Sequence, residues 1–152
     1  MNRPFLNRTL IAGACIAIAF SGGCAPSIAP YSLQAYEYAI DIKVDALRLM
    51  DRAELPYAES ERQAESLLVR MDKAYEFAKG RPQNDHSTQQ WSLMIDPAAH
   101  LMGGFLARWE AESALSRGFI AEAERIISDG FDAIIGLESG KIGNGTDIGG
   151  RR

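Results

Sequence analysis

Two cysteines and two histidines are all that the 152 residues offer to thiol or soft-metal chemistry. A structural zinc site needs about four ligands, which this chain cannot assemble once its apolar N-terminal run, with Cys15 inside it, is set aside. The same loss leaves Cys24 without a disulfide partner. No Glu-x-x-His pair of the di-iron kind, no haem-attachment Cys-x-x-Cys-His and no Gly-x-Ser-x-Gly elbow occurs, so no metal, no cofactor and no catalytic residue is expected. A surplus of positive charge is missing too: Lys and Arg number 16 against 20 Asp and Glu. Two of the 16, Arg3 and Arg8, fall in the first 23 residues, which hold no acid, so the remainder sets 14 basic against 20 acidic residues. That sign repels phosphates, and no basic stripe is read along the chain, which argues against nucleic-acid binding. Nor is any apolar run as long as the ~20 residues of a membrane span.

The longest such run, Leu10 to Phe20, follows Arg3 and Arg8 and precedes Ser21, Gly22 and Gly23. A basic n-region, a short apolar h-region and small residues form the three-part layout of an export signal, expected over residues 1–23 and cleaved. Ser21-Gly22-Gly23-Cys24 resembles the lipobox of bacterial lipoproteins, although Ser21 stands where those signals prefer leucine. The resemblance covers about the first 24 residues and implies acylation of Cys24 and membrane attachment through that lipid. A conventional signal-peptidase site ahead of an unmodified Cys24, or an uncleaved anchor, is the alternative. Ala25 is not the aspartate that retains many such proteins in the inner membrane, so the resemblance implies the outer membrane, facing the periplasm, with the inner membrane as the other destination. Residues 24–31 read as the lipidated cysteine and a proline-bearing tether; the six from Ala25 to Pro30 reach at most about 20 Å.

From Ser32 the apolar residues recur at three and four, and prolines fall between the runs, which predicts an all-α domain over 32–138. Four helices are expected, at 32–54, 57–79, 87–115 and 117–138, arranged as an up-and-down bundle, with a glycine-rich tail at 139–152. Asp96-Pro97 would either split the third helix or kink it. The second helix carries Tyr57, Ala64, Leu67, Leu68, Met71, Ala74, Tyr75 and Ala78 on one face with charges opposite.

Helices 1 and 3 depart from this simplicity. Helix 1 shows one apolar face with Leu33, Tyr36, Ile40, Val44 and Leu47, a second with Tyr38, Ile42 and Leu49, and a polar strip with Asp41, Asp45, Arg48 and Arg52. Two apolar faces mean either a central position in the bundle or an exposed patch for a partner, with Tyr38, Ile42 and Leu49 as the candidate partner face. Lys43 falls inside the apolar arc and should snorkel or pair with an acid on a neighbouring helix. Helix 3 carries Gly103, Gly104, Ala107 and Ala111 with His100 among them. Small residues at that spacing let another backbone approach, either a neighbouring helix of the bundle or an occupant of a groove. The function expected on these grounds is a membrane-anchored, non-enzymatic helical domain that binds a protein partner or itself. The alternative is a small-ligand or cofactor-binding bundle using the groove beside His100.

Overall fold

The computed structural model describes residues 29–140. Within that span five α-helices follow one another without a strand: α1 Leu33–Met50, α2 Glu61–Lys79, α3 Asp85–Ile95, α4 Met102–Glu112 and α5 Arg117–Glu138. A 3-10 turn at Tyr57–Glu59 lies between α1 and α2. The all-α class is as expected, but the stretch anticipated as one helix over 87–115 is two. The export signal, Cys24, most of the tether and the tail from residue 141 lie outside the described residues.

Capping chemistry sets the helix starts. Ser32 is extended (φ −132°, ψ 115°) and its Oγ accepts from the Ala35 N–H at 3.3 Å, while Ser116 caps Phe119 in the same way at 3.4 Å. α1 stops at Met50, short of the expected Glu54, because residues 51–55 tighten into turns before Pro56 (Ala53 N to Met50 O 2.9 Å, Leu55 N to Arg52 O 2.9 Å). At Asp96-Pro97 the chain leaves the helix entirely. Asp96 takes an extended conformation and its carboxylate accepts from the Ala98 N–H at 2.8 Å, so it holds a turn, and α4 begins only at Met102.

Packing then fixes the arrangement. α1 lies against α2 and α5, α3 lies against the same two helices, and α4 sits beside α3 and the 3-10 turn. Tyr38 meets Phe77 edge-on at 5.6 Å and Arg52 reaches back to Ser60 at 3.0 Å, so α1 and α2 run antiparallel. Lys43 pairs with Asp132 at 2.6 Å and Glu54 with Arg117 at 2.7 Å, which orients α5 antiparallel to α1. Lys43 is therefore the paired charge that its place on the apolar arc suggested. Trp91, Trp109, Phe131, Ile42, Met71, Met94 and Ile127 are fully buried, each contributing about 1.5–3 kcal/mol of transfer free energy before entropy is charged.

The face that α1 buries is not the one its large residues suggested. Ala35, Ala39, Ile42, Ala46 and Leu49 point inward, whereas Leu33 is 57% and Val44 41% exposed. Alanines at this face let α1 approach its neighbours closely, and the bulkier strip is left at the rim. The two ends of the domain are tied differently. At one end Arg81 binds Glu138 of α5 and the Pro30 carbonyl, gathering the entry to α1 with the exits of α2 and α5. At the other, the α1–α2 linker and the α4–α5 linker join by backbone bonds, Leu115 N to Ala53 O at 2.8 Å and Tyr57 N to Ser113 O at 2.7 Å, and the Trp109 indole donates to Leu55 O at 3.0 Å.

Candidate functional site

The α1–α2 contact opens into a cleft of about 480 Å³. Arg48 lies in the last turn of α1 and Arg52 in the turns just past its end at Met50, and both line the cleft. On α2, Arg62, Ser66 and Arg70 recur every four residues and form a row two turns long, about 12 Å. Because α1 and α2 are antiparallel and joined by the 3-10 turn, the two rows face each other across the cleft, with Gln63 and Ser66 between them. The floor is apolar: Leu49 is 5% and Leu67 3% exposed.

Four guanidinium groups therefore meet one carboxylate, that of Asp45, which binds Arg70. Arg52 donates through Nε to the Oγ of the fully buried Ser60, which fixes its stem. Among the described residues Arg48, Arg52 and Arg62 make no ion pair. Glu54, in the linker that follows Arg52, is engaged by Arg117. Arg117 grips Glu54 through two hydrogen bonds and holds its carboxyl below the usual range. An acidic chain has thus collected an unneutralised positive cluster in one concavity. Like charges gathered around one cleft raise the local positive potential, so the cluster favours an incoming anion.

This cleft corrects the expectation that no basic stripe exists. Each helix alone shows arginines mixed with acids, and only the register between α1 and α2 brings the rows together. The spacing of Arg62, Ser66 and Arg70 was the available signal.

The expected partner face does not form. Ile42 is 1% exposed and Leu49 5%, both in the core, and Tyr38 stacks edge-on against Phe77 at the α2 boundary. Leu49 instead floors the arginine cleft. The expected groove of His100, Gly103, Gly104, Ala107 and Ala111 is likewise divided. His100 and Gly104 border a cavity of about 230 Å³ between α4 and α5, with Phe105, Phe119 and Ile127 as its apolar lining. Gly103 and Ala107 border a different hollow, of about 550 Å³, with Tyr57 and Asp96, and Ala111 is exposed. In that hollow, burial and then the nearby carboxylates of Glu110, Glu61 and Glu65 push the Tyr57 hydroxyl above its ordinary range. The glycines do not open a groove at all: a Cβ on Gly103 would strike the Ile95 carbonyl, and one on Gly104 the Ala99 carbonyl. The backbone they accommodate is the last residue of α3 and the link from there to α4.

Among the described residues no three His, Cys, Asp or Glu side chains converge as a metal site, and no helix is long and apolar enough to cross a membrane. No family model, curated protein or solved structure matches the chain.

Proposed function

We propose that this chain is a non-enzymatic binding domain, carried at a membrane by lipid on Cys24 and exposed to the periplasm from the outer membrane, which captures an anionic protein partner in the cleft between α1 and α2. The observation that carries this reading is the set of four arginines facing a single carboxylate over an apolar floor. Guanidinium groups bind carboxylates and phosphates through paired N–H donors, and hydrogen bonds to charged groups are worth about 1.5–3 kcal/mol each. A non-catalytic role fits the lining: its one carboxylate is engaged by Arg70, leaving Ser66 without a base. α1, α2, α3 and α5 would form the up-and-down bundle that presents the cleft, behind the signal segment at 1–23. A small-ligand role draws its support from the apolar cavity beside His100.

A photo-cross-linking residue at Ser66, introduced in cells, should attach to a partner protein. The adduct should vanish when Arg48→Glu and Arg62→Glu are combined, each reversal weakening capture at least about tenfold. The double variant should melt no lower than wild type, because like-charge repulsion is relieved. Persistence of the adduct in that variant would remove the cleft as the binding face. The anchor is tested separately: Cys24→Ser should move the protein from the membrane to the soluble periplasmic fraction, and a variant that stays membrane-bound after signal removal refutes lipid attachment.

A further inference from the structure

We infer that the cleft takes an acidic peptide segment bearing apolar side chains, and that Asp45 is its internal competitor, occupying Arg70 until a carboxylate of the partner displaces it. The inference rests on the cleft being the binding face.

Asp45 already places a carboxylate in the cleft, so the geometry for holding one is present in the fold. That ion pair is built to exchange. Its side chains are 46% (Asp45) and 36% (Arg70) exposed. A pair so hydrated is weakly held and exchanges readily. The Arg81–Glu138 pair shows the contrast: its partners are 15% and 1% exposed, and it ties the ends of three helices together. Exchange also satisfies the charge balance, since Arg48, Arg52 and Arg62 are without carboxylate partners when Asp45 holds Arg70.

Spacing and floor select the ligand class. A single phosphoryl group touches adjacent donors at one point, whereas Arg62 and Arg70 stand about 12 Å apart along α2, with Arg48 and Arg52 at and just past the end of α1 on the other wall. Carboxylates on alternate residues of an extended peptide recur every ~7 Å, and those four apart on a helix every ~6 Å, which suits the rows. Leu49 and Leu67 then receive the apolar side chains between the acids.

The test uses the full-length lipoprotein in neutral detergent micelles and a fluorescein-labelled peptide of four Glu-Leu repeats, followed by anisotropy. Asp45→Asn and Asp45→Ala should each bind the peptide five- to tenfold more tightly than wild type, with unchanged circular dichroism. Arg62→Glu should bind at least tenfold more weakly. Inorganic phosphate and glycerol 3-phosphate should compete no better than chloride of equal ionic strength. If the Asp45 variants bind no more tightly while Arg62→Glu still loses affinity, the competitor role is wrong and the cleft reading stands. Unchanged binding in Arg62→Glu sinks the cleft reading itself. Displacement by low-millimolar phosphate or glycerol 3-phosphate would assign the cleft to a phosphoryl ligand, the glycerol ester marking a lipid headgroup, and would overturn the peptide assignment.

Discussion

Gly104→Ala should lower the melting temperature of the domain markedly, and Gly104→Leu should lower it further, although neither introduces a polar group. The cause is local. A Cβ at position 104 would overlap the Ala99 carbonyl oxygen, and one at 103 the carbonyl of Ile95. Neither oxygen sits at the end of a flexible side chain. The Ile95 oxygen belongs to the last residue of α3, and the Ala99 oxygen to the short link from Asp96 to Leu101, which is pinned by the Ala98 N–H bond to the Asp96 carboxylate and the bond from Ala99 N to Asp96 O (3.1 Å). Overpacking of this kind costs about 1–3 kcal/mol, and each kcal/mol moves the midpoint of a domain of this size by roughly 4–8 °C. Gly118→Ala is the control, because a Cβ there meets nothing within 4 Å. It should leave the midpoint unchanged or raise it, alanine being the better helix former by as much as about 1 kcal/mol. A thermal melt followed by circular dichroism compares the three variants. Equal midpoints for Gly104→Leu and wild type would mean that α4 does not fold back on its own linker in solution.

The same glycines show why part of the fold was legible in the sequence and part was not. Helix starts at Ser32 and Ser116 and stops at Pro56 and Gly80 are local chemistry, written in one or two residues each. The all-α class follows from periodicity over many residues and is equally plain. Asp96-Pro97 announced a break, yet its consequence, a six-residue link that turns back on the next helix, depends on a backbone approach that no periodicity encodes. Gly103 and Gly104 therefore looked like half of a helix–helix contact. For α1 the error had another source. Ranking faces by large residues favoured Leu33, Ile40 and Val44, while the packed face is built on Ala35, Ala39 and Ala46, whose value lies in how near they let α2 and α5 come. The arginine cleft was hidden by averaging, since Asp41 and Asp45 share α1's polar strip with Arg48 and Arg52. Antiparallel register alone sets Arg48 and Arg52 opposite Arg62 and Arg70, and that register is a tertiary fact.

Ile42→Asp should abolish the helical fold, and this outcome bears on both the packing of α1 and the cleft beside it. Ile42 is 1% exposed, midway along the alanine face that α1 presents to its neighbours. Removing its side chain forfeits about 1.5–3 kcal/mol of transfer free energy, and the carboxyl that replaces it must be buried charged or take up a proton without a partner, at a further cost of several kcal/mol. Together these reach the 5–15 kcal/mol that holds a domain of this kind. Val44→Asp, two residues on at a position 41% exposed, supplies the comparison and should shift stability by only about 0.5 kcal/mol. Far-ultraviolet circular dichroism with a sizing measurement on the full-length protein in detergent distinguishes them: Ile42→Asp should lose helicity and expand, while Val44→Asp keeps both signal and size. The reverse pattern, with helicity retained in Ile42→Asp but a partner or a second copy lost, would put Tyr38, Ile42 and Leu49 back on an outer surface. Leu49 could then no longer be the buried floor between Arg48 and Arg62, so the cleft, its ligand and the exchange at Asp45 would fall with the packing of α1.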